Sequence, residues 1–289
     1  MKSVRNYALV FVSVSCFLWS SLLVHAVEAE PDSLIFENYV KTISPDAHLP
    51  VNELIVKTGL YFLNRPYVGG TLEQNGDEQL VVNLRELDCT TFVENCVALS
   101  LLMKSADKSF GHYKSVLQTL RYRDGMVNGY SSRLHYSSDW IFENERKGFW
   151  KNISLSLGGL SEEKTINFMS ANSRLYPAIK DDSSMKNKIE ECENALNLRK
   201  NYVILPKEQI ASQEKNFRDG DIVFFGTKIN GLDFSHVGIA YRNNGVLSFI
   251  HASSAGKKVM VQPTSLADYC LRSKNCNGIA VVRLNEMKK

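Results

Sequence analysis

The sequence predicts an α+β fold in which helices come first and an antiparallel sheet comes last. In the first two thirds of the chain, apolar residues recur at the spacing of amphipathic helices. From residue 202 onward they fall instead in short runs rich in β-branched and aromatic residues, divided by Gly, Asn and Pro. Helices followed by consecutive strands are typical of an α+β domain with an antiparallel sheet.

The first 29 residues have the features of a secretory signal peptide. Lys2 and Arg5 precede an apolar run from Tyr7 to Val24, and the small-residue patterns "VHA" and "VEA" follow it. An uncleaved membrane anchor is the alternative, because the run approaches the roughly 18–20 residues that span a bilayer. The two cleavage patterns favour a signal peptide at 1–29. We therefore expect an exported protein with one domain at 30–289.

The elements follow in a clear order along the mature chain. Amphipathic segments predict helices at 32–43 and 51–64, and a Pro/Gly-rich loop follows at 65–73. A third helix is expected to begin at Cys89, with Asp88 as its N-cap. The stretch from about 104 to 200 is predicted to be mainly helix and loop, with Cys192 on an apolar helical face. The predicted strands are "YVIL", "DIVFFGT", "HVGIAYR", "VLSFIHAS", "KKVMVQP" and "GIAVVRL".

Charge and cysteine content narrow the possible functions. The formal net charge of +3 gives no support for nucleic-acid binding. Five cysteines remain after the leader, and an odd number leaves at least one thiol free or paired between chains. No CxxC motif or zinc-finger histidine spacing occurs, so neither a metal nor another cofactor is expected. Whether Cys270 and Cys276 form a disulfide stays open.

Cys89 has the position of a nucleophile. At the first turn of a helix, its sulfur would lie near unpaired N–H groups and the positive end of the helix dipole. Both favour the thiolate, which is the reactive form of cysteine. Cys96 lies two turns further along the same helix, about 10 Å away, and falls among apolar residues, so we assign it to packing.

Two histidines are placed to assist this thiol. His236 and His251 occur on the two strands of the hairpin "HVGIAYRNNGVLSFIHAS". If Asn243 and Asn244 form the turn, the histidines face each other directly. If Asn244 and Gly245 form it, they are diagonal neighbours, and in both registers they share a face. A three-residue loop would place them on opposite faces unless a bulge restored the count.

A same-face pair of histidines suits a catalytic base and its orienting partner. In this interpretation His236 takes the proton of Cys89, and His251 fixes the tautomer and direction of the His236 ring. The alternative is two half-buried strand histidines with no catalytic role. The combination of thiol, histidine pair and chain order favours the catalytic interpretation.

The chain resembles the NlpC family of papain-like cell-wall cysteine hydrolases. The resemblance lies in "RPYVGGT", "LDCTTFVE", "FRDGDIVFF", "SHVGIAYRNNGVLSFIHASS" and "YCLRSKNCNGIAVVRL", which occur in the family's order within 65–96 and 216–284. It implies a papain-like domain with the nucleophile at a helix N-terminus packed on an antiparallel sheet. By position, Cys89 matches the nucleophile, His236 the base and His251 the third polar residue. The residues matched to substrate positioning are Tyr67, Asp88 and Ser235.

The main departure from the family pattern is a long, mainly helical insert at about 104–200. It contains "LRYRDGMVNGYSSRLHYSSDWIFEN", which resembles a signature of NlpC-type N-acetylmuramoyl-L-alanine amidases. Arg133 and His135 alternate in this stretch, and we predict that they present a guanidinium and an imidazole to the substrate. The alternative is that this polar segment only fastens the insert to the core.

The resemblance therefore implies an amidase that cleaves muropeptides between N-acetylmuramic acid and L-alanine, and the signal peptide leads us to expect that it is exported to the periplasm. Its expected partners are peptidoglycan fragments, with no nucleic acid and no stable membrane partner after signal cleavage. One alternative is an endopeptidase that cuts between γ-D-glutamate and the diamino acid, which is the more common NlpC activity. The other is a peptidoglycan-binding module without catalysis, which is disfavoured because both the cysteine and the histidines are present.

Overall fold

The structure is a computed structural model, which describes residues 30–74, 76–200 and 202–286. The predicted signal peptide at 1–29 lies outside the described residues. The described part combines helices with one antiparallel sheet, so the predicted α+β class is confirmed. Its division into one domain with an insert stays a prediction. No helix of the described residues is both long enough and apolar enough to cross a bilayer.

The helices begin and end close to where apolar periodicity and capping residues place them. Helix α2 stops at Tyr61, three residues before the predicted end at 64, because the chain turns at Asn64 with a φ of 69°. Helix α3 begins at Cys89 as predicted. The bounds are α1 Asp32–Ile43, α2 Val51–Tyr61, α3 Cys89–Lys104, α4 Phe110–Arg121, α5 Ser137–Arg146, α6 Phe168–Ala171, α7 Ser183–Arg199, α8 Ile210–Gln213 and α9 Leu266–Arg272.

The six predicted strands all form, and two further short strands join them. The extra strands, β1 and β2, have only three and two residues, which is too short to show an alternating pattern. All pairings are antiparallel, in the order β2-β3-β8-β4-β5-β6-β7, with β1 also beside β8. The bounds are β1 Trp150–Asn152, β2 Leu160–Ser161, β3 Val203–Pro206, β4 Ile222–Thr227, β5 Phe234–Asn243, β6 Val246–Ser253, β7 Lys258–Val261 and β8 Cys276–Leu284.

The hairpin between β5 and β6 adopts the second of the two registers considered. Asn243 pairs with Val246, so Asn244 and Gly245 form the turn, with φ values of 51° and 83°. Two residues with positive φ are the signature of a type I′ turn, for which Asn-Gly is the preferred sequence. Because Ile239 pairs with Ile250, His251 lies opposite Gly238 and diagonal to His236.

The sheet separates two apolar clusters. Helices α1 to α4 cover one face, and α3 is buried along nearly its whole length. Helix α9 covers part of the other face, where Tyr269 of the helix packs on Phe225 and Phe249 of the sheet. The insert has a third cluster of its own, composed of Tyr130, Tyr136, Ile166, Met169, Ile179, Ile189 and Leu196. Cys192 is only half-buried beside this cluster, with its sulfur 3.7 Å from the Ser131 carbonyl, so the predicted core thiol is a rim residue.

Candidate active site

Cys89 is the first residue of α3, and a capping box holds the helix start in place. The Asp88 carboxylate accepts a hydrogen bond from the Thr91 N–H at 2.8 Å, and the Thr91 hydroxyl accepts one from the Asp88 N–H at 2.9 Å. This arrangement satisfies two otherwise unpaired donors at the helix start and fixes the backbone that carries the thiol. Asp88, predicted among the substrate-binding residues, therefore uses its carboxylate as a helix cap in this structure.

The resting thiol of Cys89 is less acidic than the sequence led us to expect. Burial, and to a smaller extent the Asp88 carboxylate, raise its pKa to about 11, while Thr90 and the Val237 backbone oppose the rise. The helix start is thus present, but it does not outweigh burial in the unliganded site. Cys89 rests as a neutral thiol that needs a base when it attacks. All five described cysteines are free thiols, Cys270 and Cys276 included.

His236 and His251 form a hydrogen-bonded pair. The distance between His236 Nε2 and His251 Nδ1 is 2.7 Å, so the predicted same-face pair is confirmed as a contact. A bulge precedes His236, because Phe225 pairs with His236 while the next residue, Gly226, pairs with Phe234 and skips Ser235. Such a bulge redirects the strand and the side chains beside it. Ser235 is exposed at this bulge, and its predicted contact with substrate stays a prediction.

Both histidines of the pair are held neutral by burial. Burial lowers the pKa of His236 to about 3, and the neighbouring His251 contributes to the decrease. Burial likewise lowers the pKa of His251 to about 4, which the Gln262 side chain partly opposes. His251 Nε2 has no partner that meets full hydrogen-bond geometry within the described ranges. A neutral His236 is the protonation state that a general base requires.

The thiol and the histidine pair lie in one neighbourhood. The backbone of Val237, the residue directly after His236, is close enough to Cys89 to lower the pKa of its thiol. Tyr269 of α9 packs on His236, with ring centroids 6.4 Å apart, and the Cys89 charge contributes to its raised pKa. Tyr67 approaches from the opposite loop: burial raises its pKa, and Cys89 raises it further. The predicted role of Tyr67 in orienting substrate beside the thiol stays a prediction.

Arg133 is bound to protein groups. Its guanidinium donates to the Leu72 carbonyl at 3.0 Å and to the Glu73 carboxylate at 2.6 Å, and it stacks on Tyr130 at 4.8 Å. Only 5% of its side chain is exposed. The insert arginines Arg121 and Arg123 are likewise paired, with Glu94 and Asp139. The geometry favours the structural alternative for Arg133, in which it fastens the insert to the loop that follows Tyr67.

We therefore expect Arg133→Ala to lower stability more than intrinsic activity. Loss of hydrogen bonds from a charged group costs about 1.5–3 kcal/mol, which lowers Tm. The value of kcat/KM per folded molecule should stay within a few-fold of wild type. Arg146→Ala is the matched control, because Arg146 makes its ion pairs at the surface with half its side chain exposed. An unchanged Tm with a 10-fold or greater loss of kcat/KM would restore the substrate-contact prediction.

His135 lies between Arg133 and the nucleophile helix. Its Nε2 is 2.8 Å from the Tyr130 carbonyl, and its ring packs on that of Tyr130 at 4.4 Å. Burial lowers the pKa of His135 to about 3, with further contributions from Arg133 and Arg123. His135 lines a small cavity together with Thr90 and Val237. The structure thus places His135, unlike Arg133, on a cavity lined by the residue after Cys89 and the residue after His236, and contact with substrate stays a prediction for both.

Three histidines with lowered pKa values make the stability of the fold sensitive to acid. His135, His236 and His251 have folded pKa values of about 3 to 4, whereas the ordinary value is 6.5. Below pH 6.5 the unfolded chain binds protons that the folded chain does not, so stability falls as the pH decreases. We expect Tm to fall between pH 7 and pH 5, and His251→Gln to make that fall smaller. Equal wild-type Tm values at both pH values would contradict the buried, neutral state.

Two positioning residues were missed by the sequence analysis. Asp233 is 1% exposed and accepts hydrogen bonds from the N–H and hydroxyl of Ser138, each shorter than 3 Å. It ties the start of α5 to the strand that carries His236. Tyr269 lies in the segment "YCLRSKNCNGIAVVRL" that resembles the NlpC family, but it was assigned no role, although its ring packs near both histidines. Neither residue has a local pattern that distinguishes it from a surface acid or a core aromatic.

Among residues 30–286, apart from 75 and 201, no three His, Cys, Asp or Glu side chains are grouped closely enough to hold a metal ion. The polar groups in the neighbourhood of Cys89 include the histidine pair, Tyr67, Tyr269, Asp88, Thr90 and backbone N–H groups. Together with the thiol they could supply a nucleophile, a base and hydrogen-bond donors, which are the groups that acyl transfer through a thioester requires.

Comparison with known proteins finds one matching family model and several similar solved structures. A family model described as AmiA-like, N-acetylmuramoyl-L-alanine amidase-like, matches residues 57–279. A crystal structure of an N-acetylmuramoyl-L-alanine amidase from Bacteroides uniformis is 34% identical, with a TM-score of 0.76, over 82% of this chain and 99% of that one. A Bacteroides fragilis protein assigned provisionally as a xylanase is 35% identical, with a TM-score of 0.74, over 79% and 100%.

A more distant structure extends the similarity of fold. A Legionella pneumophila protein of the family model DUF1460 is 23% identical, with a TM-score of 0.66, over 89% of this chain and 98% of that one. No curated protein matches the chain with significance.

Proposed function

Because the chain belongs to the AmiA-like family of N-acetylmuramoyl-L-alanine amidase-like proteins, we propose that Cys89 cleaves the amide between N-acetylmuramic acid and L-alanine in peptidoglycan. Family membership supports a peptidoglycan hydrolase of the amidase type. The observation that carries the cysteine mechanism is the 2.7 Å contact between His236 Nε2 and His251 Nδ1. It leaves His236 Nδ1, which makes no hydrogen bond in the described chain, available to the thiol.

The proposed reaction begins with proton transfer from the Cys89 sulfur to His236 Nδ1. The thiolate and imidazolium then attract each other, and the helix start favours the negative sulfur. The sulfur attacks the lactyl carbonyl carbon of the muramic acid, and negative charge moves to the carbonyl oxygen. In this proposal, the N–H of Cys89, a helix-start donor without a partner in its own helix, and the Tyr67 hydroxyl donate hydrogen bonds to that oxyanion.

The tetrahedral intermediate collapses when the carbon–nitrogen bond breaks. His236 returns its proton to the departing L-alanine nitrogen, and the stem peptide leaves as an amine. A thioester between Cys89 and the lactyl carbonyl remains. Water then attacks this thioester, with His236 again taking a proton, and releases the muramic acid carboxylate and the free thiol. His251 accepts or donates at His236 Nε2 throughout, which keeps the ring aligned.

The products of a defined substrate test this proposal. A disaccharide carrying the stem peptide L-Ala-γ-D-Glu-diamino acid should give free disaccharide and an intact peptide with an L-alanine N-terminus. An endopeptidase would give a disaccharide that retains L-Ala-γ-D-Glu, and a binding module would give neither product. Mass spectrometry separates the three outcomes, and a shortened stem peptide would overturn the proposed bond.

We also propose that the protein acts outside the cytoplasm, in the periplasm, on muropeptide fragments. The charged residues and apolar run of the first 29 positions support export. The substrate of the family, peptidoglycan, lies on the same side of the membrane. Fractionation of cells that produce the full chain tests this, and recovery of the unprocessed chain in the cytoplasm would contradict it.

A further inference from the structure

A small apolar cavity opens beside the nucleophile, where α3, β5 and the insert meet. Val93 of α3, Val237 of β5 and Leu134 of the insert form three of its walls, and Trp140 and Phe224 complete them. All five side chains belong to the main apolar cluster and are at most 6% exposed. The cavity is therefore a gap in the core that three separate parts of the fold leave unfilled.

The cavity lies along the first turn of α3. Val93 lies four residues after Cys89, on the same face of the helix, and Val237 directly follows His236. Thr90, the residue after Cys89, lies at its edge and is exposed. When the scissile amide of a substrate lies at Cys89, a substituent on the carbon next to that amide can enter this cavity. More distant parts of the substrate are too far away.

The size of the cavity limits what can enter. Its volume is about 30 Å³. One water-sized group needs roughly 10–15 Å³ of such space, so the cavity accepts a methyl group and has little room for a branched side chain. Its lining has no charged group, which excludes a carboxylate or an ammonium as the occupant.

The rim supplies one fixed hydrogen-bond acceptor. Because a carbonyl only accepts, the 2.8 Å contact of His135 Nε2 with the Tyr130 carbonyl requires the ring proton on Nε2. His135 Nδ1 is then an acceptor, and it makes no hydrogen bond to the described residues. A substrate amide N–H or hydroxyl beside the cavity would meet this acceptor as its methyl group enters.

We propose that this cavity is the subsite for a methyl group on a carbon next to the scissile amide, with His135 Nδ1 accepting a hydrogen bond from the same part of the substrate. The inference rests on the proposed function, because the muramyl–L-alanine amide carries such a methyl on each side: the lactyl methyl and the alanine methyl. It adds a size-selective pocket to the catalytic groups. Specificity then comes from the insert and α3 together, through Leu134 and Val93.

The first experiment compares substrates with the wild-type enzyme. One series replaces L-alanine by glycine, by L-2-aminobutyrate and by L-valine, and a second replaces the lactyl group by a glycolyl group. Loss of the methyl that occupies the cavity should reduce kcat/KM by about 10- to 200-fold, since one methylene in an apolar pocket has an effect of that size. The glycine and glycolyl substrates therefore show which of the two methyl groups binds there.

The second experiment enlarges the cavity. The relevant quantity is the ratio of kcat/KM for a substrate with one extra methylene at the responsive position to kcat/KM for the natural substrate. Val93→Ala should raise this ratio by about 10-fold or more. Val246→Ala, on the exposed hairpin, is the matched control and should leave that ratio unchanged. Alkylation of Cys89 by iodoacetamide at the wild-type rate would show that the helix start is intact in the variant.

The outcomes separate the two proposals. No release of disaccharide from any substrate would overturn the proposed function. Release with kcat/KM values within about 3-fold for alanine, glycine, valine and glycolyl substrates would overturn the methyl subsite alone. If Val93→Ala does not fold, the wild-type substrate series still decides the question. His135→Gln offers a second test, because its loss of activity should exceed that of His135→Asn only if an acceptor at the Nδ1 position matters.

Discussion

Replacement of Cys89 by alanine is expected to lower kcat/KM by at least about 1,000-fold, because no other group in the described site can form the thioester. The substrate should still bind, since the cavity, Tyr67 and the insert are unchanged. Cys89 is only partly buried, at the edge of the main apolar cluster. The Tm of the variant should therefore stay close to wild type. Hydrolysis rates and Tm measured on the same preparation check both expectations.

Cys192→Ala is the matched control for this variant. Cys192 is also half-buried, but it lies at the edge of the insert cluster, where its sulfur is 3.7 Å from the Ser131 carbonyl. Its replacement should leave kcat/KM within about 2-fold of wild type, as surface substitutions usually have small effects. A Cys89→Ala enzyme that retains wild-type activity would end the thioester mechanism.

Replacement of His236 by alanine is the second large effect, with an expected loss of about 100- to 10,000-fold in kcat, the usual contribution of a general base. The His251→Gln variant should lose less, because glutamine can still hydrogen-bond to His236 Nε2. It should also change the pH profile. His251 helps to lower the pKa of His236, so without it the acid limb of kcat/KM should move to higher pH.

That shift distinguishes an orienting role for His251 from a merely structural one. A purely structural role would reduce the amount of folded enzyme and leave the acid limb of the profile in place. Because His251 is 2% exposed, its replacement can also destabilise the fold, so the Tm of the His251→Gln variant must be measured together with its pH profile. If His236→Ala kept more than a tenth of the wild-type kcat, another base would have to be sought.

The sequence was sufficient for the elements that carry the site, because each has a strong local signal. Asp88 and Thr91 mark the start of α3, and Asn244-Gly245 marks the hairpin turn that makes His236 and His251 diagonal neighbours. The position of Cys89 at a helix start and the contact between the two histidines follow from these two features. Short elements such as β1 and α9 have too few residues for any periodicity, and tertiary packing alone places them.

The chemistry of the insert and of the thiol was harder to predict for a physical reason. Whether a guanidinium meets a ligand or a carboxylate depends on residues far apart in the chain, as Arg133 and Glu73 are. The pKa of Cys89 depends likewise on burial, which the sequence of α3 does not show. Local patterns therefore indicate candidate reactive residues and do not specify the surroundings of those residues.

The central claim, attack by Cys89 on the lactyl carbonyl, predicts a covalent intermediate of defined mass. Mixing enzyme with the disaccharide peptide, quenching in acid and measuring the intact protein mass should show an adduct equal to the muramyl disaccharide minus one water. Peptide mapping should place it on Cys89, and the Cys89→Ala enzyme should lack it. An adduct that contains L-alanine, or one on any residue other than Cys89, would contradict the account.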